Sequence, residues 1–484
     1  MSDGAETLTY AVRLRVIGKY LGQLALMLAA LACVPLVASL VFQEYAIGLR
    51  YLAVITLLAI LGVLSLRLPD ASRIQVNESL CIVALAFTFS PLVMLYPMLG
   101  AGLPALDTLF EAVSAVTTTG LSTLPGVEEL PRTFLLARAW MQWYGGLGIV
   151  VLSVALLLGH QLATRRLTEP VSDETLVTTS RIHARRMLTV YSALTLFFLL
   201  VVWWLTGDGF VALTHVLSAV STGGFSSFDQ SLGGMEPWSA RYAVIAASLC
   251  GAIPLPFFYR VWQSGWREAL CDMELRALLL CSLLLIALLA WLLAENMHLP
   301  WQDSLRHAVV IGISAQSTAG FTSLPIAQLD DSSKIALMVS MFIGGGVGST
   351  AGGIKLLRLL ILLRLLQFLM QRTAMSSHAV AEPRLGGKVL ESDDVQRIMV
   401  LILLFGIVIL CSWFTFVGYG YAPLDALFEV VSATGTVGLS TGITGQSLPA
   451  LLKVVLCIDM LLGRLEIVAL LVVLYPRTWF GKRA

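Results

Sequence analysis

Ser114–Thr123 reads SAVTTTGLST, Ser218–Ser227 reads SAVSTGGFSS, Ser314–Ser323 reads SAQSTAGFTS and Ser432–Thr441 reads SATGTVGLST. One ten-residue pattern therefore occurs four times: Ser-Ala-x-x-Thr-x-Gly, then Leu or Phe, then two hydroxyl residues. Its glycines, Gly120, Gly224, Gly320 and Gly438, lie 104, 96 and 118 residues apart. The repeat extends beyond the motif. Residues 106–123 (LDTLFEAVSAVTTTGLST) and 424–441 (LDALFEVVSATGTVGLST) agree at thirteen of eighteen positions, Asp, Phe and Glu among them. A chance similarity of Leu/Ala-rich helices does not align those residues.

The surrounding chain belongs in a bilayer. Of its 484 residues 57% are hydrophobic and 13% charged, a balance that fits a polytopic membrane protein. A net charge of +1 gives no reason to expect a nucleic-acid partner. The seven cysteines form neither a metal spacing nor a disulfide framework, and no two histidines share a helix face as HxxxH. Glu6, Arg13 and Arg15 interrupt the first apolar stretch, so no cleavable signal is expected. Spans of about 20 apolar residues are predicted at 20–43, 49–67, 79–99, 133–159, 186–206, 238–262, 275–295, 334–370, 396–418 and 449–475, about ten in all. Shorter apolar stretches at 106–116, 209–220, 303–315 and 424–434 are too short to cross and read as re-entrant helices. Each ends in one copy of the motif.

Basic residues set the orientation. Arg13, Arg15 and Lys19, then Arg67 and Arg73, Arg165 and Arg166, Arg181, Arg185 and Arg186, Arg260, Arg267 and Arg276, Arg372, Arg384, Lys388 and Arg397, and Arg477, Lys482 and Arg483 fall on one side of a ten-span chain. That side is read as the cytoplasm, with both termini on it. All four motifs then enter from outside in the same sense, a parallel repeat. The expected fold is an all-α polytopic membrane protein. It has a two-helix addition at 1–73 and four pseudo-repeats of helix–pore loop–helix at 74–170, 171–268, 269–390 and 391–484, around a central pore.

Each short helix runs up to Ser-Ala and then meets Thr and Gly. A helix C-terminus carries about half a negative charge, so four such ends aimed at one point stabilise a cation without acidic side chains. Glycine lets the following strand turn a carbonyl inward, and a ring of carbonyls can replace an ion's hydration shell. Threonine hydroxyls add ligands or brace the loop. The candidate filter is Thr117, Thr118, Thr119 and Gly120; Ser221, Thr222, Gly223 and Gly224; Ser317, Thr318, Ala319 and Gly320; and Gly435, Thr436, Val437 and Gly438. Asp107 and Asp425 are expected to cap their short helices. The competing reading, close helix packing through small residues, does not explain four copies in register with topology.

Two further features bear on function. Residues 344–355 read GGGVGSTAGGIK, with glycine at six of the ten positions 344–353. Gly344, Gly348 and Gly352 suit a packing face, yet glycine occupies every face and each interior one costs about 1 kcal/mol. A break in the helix is therefore expected, forming a gate from Gly344, Gly345, Gly346, Gly348, Ser349, Thr350, Gly352, Gly353 and Lys355. Arg464 lies inside the last span, where an arginine costs about 2.5–3.5 kcal/mol on insertion scales. Glu466, two residues on, points about 200° away and is not its expected partner. Arg464 is read as a positive barrier in the pore, against the alternative of a structural ion pair, with Asp459 as a possible partner. Pro254 and Pro256 predict a kink in 238–262.

The motif set, with TTTG in the first copy, QWYGGLGIVVL at 142–152, GGGVGSTAGGIK and GRLEI, resembles the Trk/Ktr/HKT superfamily of cation transporters over essentially the whole chain. The N-terminal hairpin makes it similar to the bacterial potassium-uptake branch. That resemblance implies K+ as the transported ion, four filter glycines suited to potassium, a gating loop at 344–355 and a conduction-path arginine at Arg464. It also implies a homodimer in the bacterial inner membrane bearing a cytosolic TrkA-type nucleotide-binding regulatory subunit, with no organic cofactor in this chain. Sodium-preferring uptake and coupling to H+ or Na+ are the alternatives. Copies two to four depart from TTTG at Gly223, Ala319 and Val437, which favours carbonyls over hydroxyls as ligands. An enzyme would need HExxH, paired acids or a Ser/Lys pair at one depth, and the sequence has none.

Overall fold

A computed structural model describes residues 11–69, 74–165, 173–265, 267, 272–374, 382–386 and 388–480, without side chains at 149, 151–181 and 388. Arg73, Arg166, Lys482 and Arg483 lie outside the described residues. Helices dominate. In chain order they begin α1 (Leu14–Val41), α2 (Tyr45–Ser65), α3 (Val76–Met98), α4 (Ala105–Val116), α5 (Arg132–Arg165), α6 (Asp173–Thr206), α7 (Gly209–Val220), α8 (Trp238–Ala252) and α9 (Leu255–Ser264). They continue with α10 (Met273–Asn296), α11 (Trp301–Gln316), α12 (Asp331–Ile343), α13 (Leu356–Thr373), α14 (Ser392–Gly418), α15 (Pro423–Thr434), α16 (Ala450–Arg464), α17 (Val468–Leu474) and α18 (Pro476–Phe480). A two-residue hairpin, Arg384–Leu385 with Lys388–Val389, precedes α14.

Among the described residues six helices are long and apolar enough to cross a membrane, in α1, α2, α3, α6, α10 and α14. This is a multi-pass membrane protein. Three of the other predicted spans are not simple helices. The 238–262 segment bends by 87° between α8 and α9, at Pro254, which supplies no N–H to the ladder. The 334–370 segment stops at Ile343 and resumes at Leu356. The 449–475 segment breaks between Arg464 and Val468, where Glu466 and Ile467 hold φ of 53° and 61°. No glycine or proline marks that last break.

Proline and aspartate start the helices that matter. Pro104, Pro300 and Pro449 stand at the N-caps of α4, α11 and α16, and Pro423 opens α15. Proline suits these places because its fixed φ needs no N–H there. Asp208 accepts from the Phe210 and Val211 amides at 2.8 and 3.2 Å, capping α7. The C-terminal halves of the short helices α4, α7, α11 and α15 are largely buried. Each short helix packs on the helix that leaves the preceding motif: α7 on α5, α11 on α8, α15 on α12, and α4 on α16. That last contact joins the first motif to the fourth and closes the arrangement. The α1–α2 hairpin packs on α3 and α5, outside this circle.

Asp107 and Asp425 correct the sequence reading. Both lie in the first turn, but no side chain among the described residues caps α4 or α15. Asp107 pairs instead with Lys453 of α16, and Asp425 with Lys334 of α12 at 2.8 Å. They tie α4 to α16 and α15 to α12, each the outgoing helix of a neighbouring segment.

Candidate functional site

The four short helices end in one geometry. Thr117, Ser221, Ser317 and Gly435 close them at φ/ψ of −78°/−2°, −80°/−3°, −80°/−3° and −72°/−7°. The next residue, Thr118, Thr222, Thr318 or Thr436, turns left-handed with φ of 54°, 54°, 56° and 51°. Its N–H bonds to the motif alanine carbonyl, and the following N–H bonds to the motif serine carbonyl at 2.7–2.9 Å. This is the Schellman end, usually built with glycine at the left-handed residue. A β-branched residue there is strained, so four threonines are a cost that the fold alone does not require.

The glycines then close a ring. Gly120, Gly224, Gly320 and Gly438 have φ of 85°, 81°, 73° and 95°. A Cβ on Gly120 would collide with the Gly223 carbonyl oxygen, one on Gly224 with that of Ala319, one on Gly320 with that of Val437, and one on Gly438 with that of Thr119. Each strand thus lies against the carbonyl of the next, from first to fourth and back to first. The hydroxyls of Thr118 and Thr436 are buried without a hydrogen-bond partner among the described residues. Those of Thr222 and Thr318 bond to the glycine-rich loop described below.

The rest of the motif anchors this ring. Leu121, Phe225, Phe321 and Leu439 are buried in the core. The hydroxyl pair that follows is held by the short helix. Glu111 accepts from Ser122 Oγ and the Thr123 amide at 2.8 and 2.9 Å. Glu429 accepts from Ser440 Oγ, the Thr441 amide and Thr444 Oγ1 at 2.6–2.7 Å. His215 holds Ser226, and His307, one turn earlier on its helix, holds Ser323, each at 2.9 Å. Arg138 pairs with Glu111 at 2.8 Å and lies 3.8 Å over the Phe225 ring, joining the first motif to the second. Both charges are buried. Arg138→Met strands the Glu111 carboxylate, so it should lower stability by about 3–5 kcal/mol. Thermal unfolding in detergent checks this, with an Arg138→Met/Glu111→Leu pair recovering part of the loss.

The segment 344–355 is an irregular loop beneath the ring, as the glycine run predicts. Gly344, Gly348 and Gly353 hold φ of 70°, 80° and 72°. The Gly346 and Thr350 amides bond to the Ala252 and Gly251 carbonyls at 3.0 and 3.1 Å. These are acceptors that the α8/α9 bend frees, so one break satisfies the other. Gly345 O accepts from the Leu356 amide at 2.9 Å, and Ser349 Oγ donates to Gly346 O at 2.6 Å. Thr350 Oγ1 donates to Val220 O at 3.1 Å, the end of α7. The Gly352 amide bonds to Thr318 Oγ1 at 2.7 Å, and the Gly353 amide to Gly435 O at 3.0 Å. The loop therefore touches the second, third and fourth motif strands. Lys355 is buried and donates to Ala351 O.

Arg464 is buried and donates to Thr350 O at 2.7 Å and Gly145 O at 3.4 Å. It has no carboxylate partner among the described residues. Asp459 accepts from Ser412 instead, at 2.8 Å. Glu466 pairs with Arg358 of α13 at 2.6 Å. The structural ion pair weighed for Arg464 is therefore absent among the described residues, and the guanidinium sits under the ring against the loop.

Several contributors lay outside the sequence reading. Gln316 ends α11, donates to Gly344 O at 2.8 Å and accepts from Ser340 Oγ at 2.9 Å, satisfying a carbonyl at the break. Glu274 accepts from the Val347 amide at 3.0 Å. Gln142, quoted above only within the 142–152 motif, touches the second strand. A departure within an aligned position was the available signal: Gln316 stands where Val116, Val220 and Thr434 end the other short helices.

Residues 70–478 match the TrkH family, described as cation transport protein. A potassium uptake protein TrkH of Vibrio parahaemolyticus is 31% identical, over 77% of this chain and 79% of its own. The TrkH of Halomonas elongata is 30% identical, over 96% and 99%. The crystal structure of the potassium transporter TrkH from Vibrio parahaemolyticus aligns with a TM-score of 0.85 at 26% identity, covering 97% of this chain and all of that one. Members of this family are transporters rather than enzymes. With most of its length matched, the chain belongs to the TrkH family of cation transport proteins.

Proposed function

We propose that this protein takes up potassium across the bacterial inner membrane through a channel-like pore. Four filter strands, 117–120, 221–224, 317–320 and 435–438, surround the ion. The observation that carries the reading is the closed circle of filter glycines, each against the carbonyl of the next strand. Four helix C-termini add negative potential without a carboxylate, and carbonyls replace the ion's water. The unpartnered hydroxyls of Thr118 and Thr436 add ligands. The loop 344–355 and Arg464 form the gate: the loop hydrogen-bonds to three filter strands, and the arginine places a positive charge beneath them.

The same proposal takes ten spans in four units, 74–170, 171–268, 269–390 and 391–484, with the hairpin 1–73 added. It places both termini in the cytoplasm and pairs two chains. A cytosolic nucleotide-binding subunit of the TrkA type would act on the gate, and relatives named as parts of a Trk system support this. Cells lacking their own potassium systems should grow at low potassium when they carry this protein. Growth no better than with an empty vector would refute the proposal.

A further inference from the structure

Gln142 of α5 is a buried amide outside the four strands, and both of its ends are used. Its Nε2 donates to the Gly223 carbonyl, and its Oε1 accepts from the Phe225 amide at 3.3 Å. It thus bridges the backbone on either side of Gly224, as a neighbouring β-strand would. The Gly223 carbonyl is one of the four oxygens that lie against a ring glycine. No described side chain donates to the other three, those of Thr119, Ala319 and Val437. The contact also accounts for the second copy's departure from the pattern. A Cβ on residue 223 would fall on the amide of Gln142, so the position that is Thr119, Ala319 and Val437 elsewhere is glycine here.

The outgoing helices share a register. Gly145, Gly251 and Gly463 each approach the carbonyl that ends their own short helix, Val116, Val220 and Thr434. Three residues before them stand Gln142, Ser248 and Met460. Ser248 spends its hydroxyl on Val244 of its own helix, and Met460 has no amide to offer. The amide clamp belongs to one strand.

We propose that Gln142 is a positioning residue that sets ion selectivity by holding the second strand and making its Gly223 oxygen a weaker cation ligand than the other three. An oxygen that already accepts a hydrogen bond has less electron density for an ion, and a clamped strand adapts less to a smaller one. This rests on the reading of the four strands as a filter.

The test is rubidium uptake into proteoliposomes, competed by potassium and by sodium. Gln142→Leu removes both hydrogen bonds, each worth about 1 kcal/mol net. The rubidium-over-sodium preference should shift by about fivefold or more, with uptake retained. A second set uses the steric partner. Gly223→Ala alone should lose uptake, and Gln142→Ala/Gly223→Ala should regain uptake while keeping the shifted preference expected of Gln142→Leu. An unchanged preference in Gln142→Leu overturns the proposal, and so does a double variant no better than Gly223→Ala. If Gln142→Leu fails to fold, the Gly223 pair decides alone. Wild-type protein without rubidium uptake would instead defeat the filter reading itself.

Discussion

Gly120→Ala should abolish selective uptake, lowering rubidium flux or its preference over sodium by at least tenfold. The new methyl group points at the Gly223 carbonyl oxygen, which belongs to another strand's backbone and has no rotamer in which to retreat. The left-handed φ of 85° adds strain, because side chains disfavour that region. Strain of this kind costs about 1–3 kcal/mol, and the collision adds to it. At about 1.4 kcal/mol per factor of ten, the sum exceeds one decade. Circularity gives a sharper form of the prediction. Each glycine meets the next strand, so alanine at Gly224, Gly320 or Gly438 should do comparable harm. Rubidium flux with sodium competition reads all four, with size-exclusion profiles confirming folded protein. Wild-type flux and preference in any of them would mean that the circle does not line the ion path.

Arg464→Ala should raise basal cation flux by tenfold or more. The guanidinium donates to the glycine-rich loop at Thr350 O and has no carboxylate to neutralise it among the described residues. A unit charge about 6 Å from a passing cation costs about 3 kcal/mol at an effective dielectric of 20. Removing it lowers that barrier and also frees the loop. Shortening the loop within 344–353 should act in the same direction. The two effects should be less than additive, because both removals break one contact. Flux measured without any regulatory partner checks this. A folded Arg464→Ala protein with unchanged or reduced flux would assign the arginine a structural role.

The sequence disclosed the parts that depend on local chemistry. Gly120 and its counterparts announced a backbone conformation closed to other residues, the glycine run announced a broken helix, and Pro254 announced a bend. It was silent where a local rule is overridden. Threonine is poor in the left-handed region, so Thr118, Thr222, Thr318 and Thr436 gave no sign of taking it. The segment Leu465–Ile467 contains no breaker, and its break is stabilised from outside, in part by Arg358 holding Glu466. Asp107 met every criterion for a cap, yet its partner Lys453 lies 346 residues away. Gln142 belonged to a motif of the resemblance, but its contact with a strand 81 residues later was not legible from it. In each case the deciding contact is long-range, and pattern and propensity do not carry it.

The most direct test of the central claim is rubidium uptake by purified protein in liposomes under an inward gradient, competed in turn by potassium and sodium. A four-strand carbonyl filter predicts that potassium displaces rubidium at matched concentration while an equal concentration of sodium leaves most uptake intact. Sodium displacing rubidium as effectively as potassium would contradict it.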